Sequence, residues 1–243
     1  MAKYIKRFET VTAQTQYVQS MNYIEPYISA VNDTGDTGDN VQYNQYDVVH
    51  NQNFLTLNYI QNTSTAYINT TYVPNINTKI EAQFMQTALN YTYPTLFGTR
   101  NLNTGTQRFY QHINSNKTNS GIYSCLVSDT GITLRECCYI NTIHTVIQCK
   151  DYVELDGVRH NINNVTTINP TNQLHLFVLR DKSGIATDTY FTGRLYYCKI
   201  SENGVLKQHW IPAKRLSDNI IGMYDQVRKT FYASANSTKF TGG

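Results

Sequence analysis

The hydrophobic pattern of residues 193–200 fits a period of two, which predicts a strand and not a helix. The alternation divides the segment into two predicted faces. One face holds Arg194, Tyr196, Cys198 and Ile200, and the other holds Leu195, Tyr197 and Lys199. The next turn signal, Asn203-Gly204, predicts a two-residue hairpin because both positions tolerate positive φ. Apolar residues at 220–224, 231–232 and 240 then supply further core material.

Similar patterns upstream predict a series of further strands. Ile80, Ala82 and Phe84 alternate with polar neighbours, which predicts one buried and one solvated face. Asp156-Gly157 predicts a second hairpin turn. Other strands are predicted at 96–98, 122–127, 132–140, 144–155 and 158–162, and a further strand is predicted from Leu174 to near Arg180-Asp181. This many short strands with turn signals between them favour an all-β fold, a two-sheet antiparallel sandwich.

The first 45 residues differ in character from the rest of the chain. Pro26 removes a backbone donor and suits an edge strand, and an acidic loop runs from Asp33 to Asp39 before an extended segment at 41–44. The pattern predicts a small hairpin module over 1–45 and a large β domain over 46–243. Chains shorter than about 40 residues rarely hold a stable core alone, so we expect the module to dock onto a partner. The acidic loop lacks the ligand spacing of an EF-hand, which favours a solvated turn over a calcium site.

The large domain resembles the concanavalin-like, laminin-G-like jelly rolls common in gut Bacteroides and their phages. Matching positions in the closing half are 193–200, Asn203-Gly204, Ile211-Pro212, Ser217-Asp218, 221–225, Phe231-Tyr232 and 240–243. Matching positions in the opening half are Tyr67-Ile68, Thr70, Tyr72, Pro74-Asn75, Asn77-Thr78, Ile80, Phe84, 96–98 and Arg100. The resemblance covers roughly residues 59–243 and implies a jelly-roll sandwich. It implies less about function, because such sandwiches carry many unrelated activities.

A second, shorter resemblance lies in the N-terminal module, which is similar to the N-terminal segments of virion proteins in crAss-like Bacteroides phages. The similar positions are Phe8, Thr10, Tyr17, Pro26, Ser29, Val41, Tyr43 and Asn44. The resemblance implies attachment to a virion, for which the candidate residues are Phe8, Tyr17, Pro26, Tyr27, Val41 and Tyr43. We therefore expect a head fibre or capsid decoration protein on the phage surface, made in the host cytoplasm. The alternative is a tail-associated receptor-binding protein with a glycan-binding jelly roll.

Expected partners depend on this interpretation and on the charge distribution. We expect contacts with other virion proteins, a homo-oligomer (a trimer or a dimer) and weak adhesion to carbohydrate. The 20 basic and 17 acidic residues leave a formal net charge of +3, and the basic residues are scattered. Nucleic-acid binding needs a clustered basic face, so it is not expected. No apolar run of about 18 residues occurs, so the sequence predicts no membrane span. The basic segment from Met1 to Arg7 is not followed by an apolar segment, so the sequence predicts no signal peptide.

Catalytic chemistry is not expected either. The segment Glu154-Leu155-Asp156-Gly157-Val158-Arg159 resembles the E-x-D-x-x-E strand of jelly-roll glycosidases, but Arg159 replaces the acid/base glutamate and Gly157 turns the chain back. The six histidines stand singly, and the five cysteines lack CxxC spacing. The sequence therefore predicts no metal site, no cofactor and buried free thiols.

Sugar binding without catalysis remains open, since tyrosine rings stack on sugars and asparagine supplies hydrogen bonds. Most tyrosines, and the single tryptophan Trp210, occupy strand positions that core packing explains. The tyrosines near predicted loops are the candidate glycan-binding residues, namely Tyr91, Tyr93, Tyr110 and Tyr123.

Overall fold

Short β-strands joined by turns account for the regular structure in the computed structural model, which describes residues 53–101, 107–119 and 121–243. The predicted attachment module, with Phe8, Tyr17, Pro26, Tyr27, Val41, Tyr43 and the Asp33 to Asp39 loop, lies outside the described residues. The strands are β1 (Phe54–Thr56), β2 (Ile60–Asn62), β3 (Ile68–Asn69), β4 (Thr78–Gln86), β5 (Phe97–Arg100), β6 (Arg108–Ile113), β7 (Tyr123–Val127), β8 (Thr130–Leu134), β9 (His144–Gln148), β10 (Tyr152–Leu155), β11 (Val158–Asn161), β12 (His175–Leu176), β13 (Leu179–Asp181), β14 (Gly184–Ile185), β15 (Gly193–Glu202), β16 (Val205–Arg215), β17 (Ile221–Asp225), β18 (Thr230–Tyr232) and β19 (Thr241–Gly242). Two short 3-10 turns lie at Ser115–Lys117 and Thr187–Thr189.

The strands form two sheets. The larger has eleven strands in the order β11-β10-β9-β4-β15-β16-β17-β18, with β1 paired to β16, β2 paired to β15, and β19 paired to β2. The smaller has eight strands in the order β14-β13-β5-β6-β7-β8, and β12 joins β3 to β5. All pairs among the described strands are antiparallel except β13 with β5. The described part of the chain contains no helix with the length and hydropathy that a membrane span requires.

The hydrophobic core receives side chains from both sheets. Strand β4 alternates buried and half-buried positions along its whole length, and Phe84 is fully buried, as the sequence predicts. Trp210 on β16 is also fully buried, and Phe109 and Tyr123 contribute from the smaller sheet. The five cysteines are free thiols, of which Cys137 alone is only half-buried.

Both predicted hairpin turns are confirmed. Asn203 and Gly204 have φ of 51° and 76°, and they join β15 to β16. Asp156 and Gly157 have φ of 50° and 82°, and they join β10 to β11. Two successive left-handed residues match the twist of the flanking strands, which explains why Asn-Gly and Asp-Gly occupy these sites.

The predicted faces of β15 are wrong after Leu195. Its register with β4 passes from Leu195 opposite Phe84 to Tyr197 opposite Gln83, so Tyr196 is the extra residue of a β-bulge. The bulge shifts the alternation by one position. Leu195, Cys198 and Ile200 therefore share the fully buried face, and Tyr196 lies half-buried on the outer side.

Three other predicted strands have different bounds. The strand predicted from Leu174 to near Asp181 is divided into β12 and β13, because Phe177 between them has φ of 69°. The segment 144–155 is two strands, because the Cys149 amide donates to the Tyr152 carbonyl at 3.0 Å and closes a turn between them. The predicted strand 132–140 begins at Thr130 and ends at Leu134. It ends there because the backbone leaves β8, with Glu136 at φ 56° and the Cys138 amide bound to the Gly121 carbonyl.

Candidate ligand-binding site

A cleft of about 510 Å³ opens at one end of the smaller sheet, where β3, β12, β13 and β14 meet. Its volume lies within the range typical of small-ligand pockets. The lining residues are Tyr67, Asn69, Val73, Thr171, Asn172, Gln173, His175, Arg180, Gly184 and Ile185.

Strand register places polar side chains on the outer face here. Ile68 of β3 lies opposite Leu176 of β12, which lies opposite Phe97 of β5, and all three belong to the hydrophobic core. Successive side chains on a strand point to opposite faces. The next register row, with Asn69 opposite His175, therefore faces away from the core and into the cleft.

Side-chain amides form the polar wall of the cleft. Asn69 Nδ2 donates to Gln173 Oε1 at 2.6 Å, and Asn69 Oδ1 accepts from the Thr71 amide at 2.9 Å. Asn172 Nδ2 donates to the carbonyls of Arg100 and Asp181, which ties the 171–173 loop to the ends of β5 and β13. The Gln173 Nε2 group makes no hydrogen bond to another described residue, so it can donate to a ligand.

An aromatic pair forms the floor. The Tyr67 ring stacks on the His175 ring with centroids 5.2 Å apart and planes 19° from parallel. Burial, reinforced by the positive charge of Arg180, lowers the pKa of His175 to about 4, so this imidazole is neutral at pH 7. Its Nδ1 atom is buried and has no hydrogen-bond partner within the described residues.

Arg180 supplies the charged group. It lies on β13 opposite Ile185 in the short hairpin with β14, and its Nη1 atom is 3.6 Å from where a Cβ on Gly184 would lie. Gly184 has φ of 142°, a conformation that side chains disfavour, so glycine permits this hairpin. The guanidinium of Arg180 has no carboxylate within ion-pair distance among the residues the structure describes.

The predicted glycan-binding tyrosines lie outside this cleft. Tyr123 is fully buried, and its hydroxyl donates to Gln148 Oε1 at 3.1 Å, so its ring is not available to stack on a sugar. Tyr110 is only 6% exposed. Tyr91 is half-buried and donates its hydroxyl to the Ser64 carbonyl, whereas Tyr93 is 44% exposed. Of the four, Tyr93 therefore presents the most accessible ring, and Tyr123 is corrected to a core residue.

Tyr93 and Tyr110 nevertheless come together around His112 on the outer face of the smaller sheet. The His112 ring lies 5.5 Å from the Tyr93 ring and 4.8 Å from the Tyr110 ring. His112 Nδ1 bonds to Thr95 Oγ1 at 2.8 Å, and burial together with the charge of Arg100 lowers the pKa of His112 to about 4. The His112 ring therefore packs against both tyrosine rings.

Sequence reasoning missed the cleft residues. Tyr67 matches the fold resemblance as part of an opening strand, and Asn69, Gln173 and Arg180 carry no motif. The one available signal was the alternation of Tyr67 and Asn69 with core residues, which puts both on the outer face. Their convergence with the 171–173 loop depends on a pairing between segments about a hundred residues apart.

The glycosidase-like segment forms no carboxylate pair. Glu154 lies opposite Arg159 across the hairpin, and Arg159 Nη2 donates to Glu154 Oε2 at 3.4 Å. Asp156 lies in the turn, where its carboxylate binds His144 Nδ1 and the Thr145 amide at 2.7 Å each. Among the described residues, no group of three or more His, Cys, Asp or Glu side chains could hold a metal ion.

Comparison with known proteins supports the fold. No family model matches the sequence, and no curated protein matches it. A putative carbohydrate binding protein from Bacteroides ovatus has a similar structure, with a TM-score of 0.53 and 12% identity over 77% of this chain and 60% of that one. The native heptameric SAP-like pentraxin from Limulus polyphemus has a TM-score of 0.44 and 10% identity, over 61% of this chain and 75% of that one. Domains LG4-5 of the mouse laminin alpha1 chain have a TM-score of 0.41 and 14% identity, over 61% of this chain and 42% of theirs.

The predicted fold class is therefore confirmed. The described part of the chain is an all-β sandwich of two largely antiparallel sheets, and its fold is similar to that of the Bacteroides ovatus protein. It spans 60% of the length of the Bacteroides ovatus protein.

Proposed function

We propose that this chain is a carbohydrate-binding jelly-roll protein that acts without catalysis. The observation that carries the proposal is the cleft, in which the Tyr67 and His175 rings lie beside the amides of Asn69 and Gln173. Sugars combine apolar ring faces with many hydroxyl groups. A site for them needs aromatic surface for the ring faces and fixed polar groups for the hydroxyls.

The arrangement of the polar groups favours binding over a purely structural role. Asn69 and Asn172 use hydrogen bonds to hold their own positions, whereas Gln173 keeps donors available. Pre-positioned groups lose little entropy when a ligand binds. The similar fold of the Bacteroides ovatus protein, itself described as a putative carbohydrate binding protein, supports the same interpretation.

The proposed lack of catalysis rests on the carboxylates. Retaining glycosidases place two carboxyl groups about 5–5.5 Å apart. The one sequence segment that resembles such a pair is occupied by other contacts, because Glu154 binds Arg159 and Asp156 binds His144.

The setting we propose is the surface of a phage particle, as a head fibre or capsid decoration protein. This part rests on the resemblance of residues 1–45 to virion proteins. Many copies of a weak glycan site on one particle raise overall avidity by about 10²–10⁴, so no single site needs high affinity. A tail-associated receptor-binding protein remains the alternative setting.

A glycan array tests the binding proposal. The full chain should bind a subset of oligosaccharides, and the double variant Asn69→Ala/Gln173→Ala should lose that binding because it removes the polar wall. Asn163→Ala is the matched control, since Asn163 is an exposed amide outside the cleft. Absence of binding by the unaltered chain, or equal binding by the double variant, would refute the proposed function.

Particle assembly tests the setting separately. Deletion of residues 1–45 should abolish incorporation into virions, and a labelled antibody against the full chain should decorate heads. Decoration of tails would select the alternative, and unchanged incorporation of the shortened chain would reject the attachment role.

A further inference from the structure

We propose that the cleft selects an acidic sugar, and that Arg180 binds its anionic group, a carboxylate or a sulfate ester. This inference rests on the proposed function, because it names the ligand class of the same cleft. The observation that carries it is the placement of Arg180. This arginine forms no ion pair with the residues that the structure describes, and the lining of its cleft contains no acidic side chain.

The side chain of Arg180 forms no ion pair with another described residue. The residue is half-buried on β13. Its nitrogen atoms are not among the buried, unpartnered polar atoms of the described residues, so solvent reaches the guanidinium and it can donate to an anionic ligand.

The adjacent acidic side chain, Asp181, is already occupied. It accepts from Arg100 Nη2 at 2.9 Å and from the Lys182 amide at 2.7 Å. Although burial opposes it, the hydrogen bond from Arg100 keeps the pKa of Asp181 below its usual value, and the charges of Arg100 and Arg180 add to this effect. Asp181 is therefore ionised and directly bound to Arg100, which leaves the guanidinium of Arg180 for a ligand.

The cleft lining carries a single charge. None of its ten residues is acidic, and Arg180 is its only basic residue that is charged at pH 7, because His175 is neutral. A guanidinium presents a planar fork of donors that matches carboxylate and also binds sulfate oxygens. The amides of Asn69 and Gln173 lie in the same cleft, where they can bind the hydroxyl groups of the same sugar.

The test compares acidic and neutral ligands on the full chain. An array that carries neutral, carboxylated and sulfated oligosaccharides identifies the strongest hit. Calorimetric titration then compares that hit with its carboxyl-reduced or desulfated form. We expect the acidic form to bind more tightly, and Arg180→Gln to weaken its binding at least about tenfold while binding of the neutral form changes little.

Two further variants separate specific recognition from general charge and from misfolding. Arg135→Gln removes the same charge from an exposed position outside the cleft and should leave both affinities unchanged. Arg180→Lys keeps the charge but loses the planar fork, and it should bind the acidic form with intermediate affinity. Thermal unfolding of each variant establishes that it is folded before its binding is measured.

The outcomes distinguish this inference from the proposed function. Equal affinity for acidic and neutral forms, or an equal loss in Arg180→Gln and Arg135→Gln, overturns the role of Arg180 and leaves carbohydrate binding intact. Binding of no oligosaccharide at all overturns both. Loss confined to carboxylated or to sulfated ligands supports the role and identifies which anionic group the guanidinium binds.

Discussion

Acidification should destabilise this protein through two histidines, the half-buried His112 and the buried His175. Burial, aided by a nearby arginine, lowers the pKa of each from 6.5 to about 4. A group whose pKa is lower in the folded chain binds protons more readily when the chain unfolds. Its contribution to stability is therefore complete above about pH 6.5 and is lost as the pH falls towards 4.

The magnitude can be worked from proton linkage. At about pH 5 both histidines are almost fully protonated in the unfolded chain, whereas they are only slightly protonated in the folded chain. This difference lowers the free energy of unfolding by about 2 kcal/mol per histidine. Urea unfolding of the full chain at about pH 7.5 and about pH 5 measures the loss. His175→Asn should reduce the loss by about 2 kcal/mol. The control Asn163→Ala changes an exposed residue that does not titrate, and it should leave the loss unchanged.

The result that would refute this reasoning is a pH dependence that His175→Asn and His112→Asn leave unchanged. Such a result would mean that the rings are protonated in the folded chain, or that other groups dominate its acid response. The comparison between variants matters because carboxylates also titrate in the lower part of this range.

Three other predictions concern packing and side-chain chemistry. Gly193→Ala should lower the free energy of unfolding in urea by more than about 2 kcal/mol, because the added Cβ would overlap the Met85 carbonyl oxygen. If this variant were as stable as the control Ser201→Ala, the close approach of Gly193 to the Met85 carbonyl would be contradicted. Glu154→Gln should lower the free energy of unfolding by less than about 1 kcal/mol in the same assay, because its ion pair with Arg159 is exposed. Neither the unaltered chain nor this variant should hydrolyse glycosides. Glycosidase activity that is present in the unaltered chain and lost in Glu154→Gln would reject the proposed absence of catalysis. A thiol reagent followed by mass spectrometry should modify Cys137 first in the native chain, and faster labelling of a buried thiol would contradict the described burial.

Much of the fold could be predicted from local sequence. The strand alternation at Ile80, Ala82 and Phe84 and the turns at Asn203-Gly204 and Asp156-Gly157 depend on neighbouring residues alone, and the structure agrees with each. These are the features for which side-chain periodicity and positive φ impose strong local constraints.

The β-bulge at Tyr196 could not be predicted in this way. The sequence shows only that Arg194 and Lys199 fall on opposite predicted faces, and the position of the extra residue becomes visible in the register with β4. The single residue reverses the faces of the rest of the strand, because side chains alternate with a period of two. A regular sequence alternation therefore predicts the wrong faces for the second half of β15.

The cleft was beyond prediction for a related reason. Tyr67, Gln173 and Arg180 meet through long-range pairings, and none has a distinctive neighbour in sequence. In the sequence, Tyr123 is a candidate glycan-binding residue because it lies near a predicted loop. Its side chain is fully buried, because its face of β7 is the one that meets the core. Loop proximity in sequence is therefore a weak guide to exposure.

The central claim, that the cleft binds carbohydrate, is tested most directly by nuclear magnetic resonance. The full chain, labelled with nitrogen-15, is titrated with the oligosaccharide that binds best on the array, and the side-chain amide signals of Asn69 and Gln173 are followed. Both signals should shift progressively and saturate, together with backbone amides of the 171–173 loop. The claim would be contradicted if the Asn69 and Gln173 signals stayed unchanged while signals of residues around Tyr93 and His112 shifted. It would also be contradicted if no signal shifted at any ligand concentration.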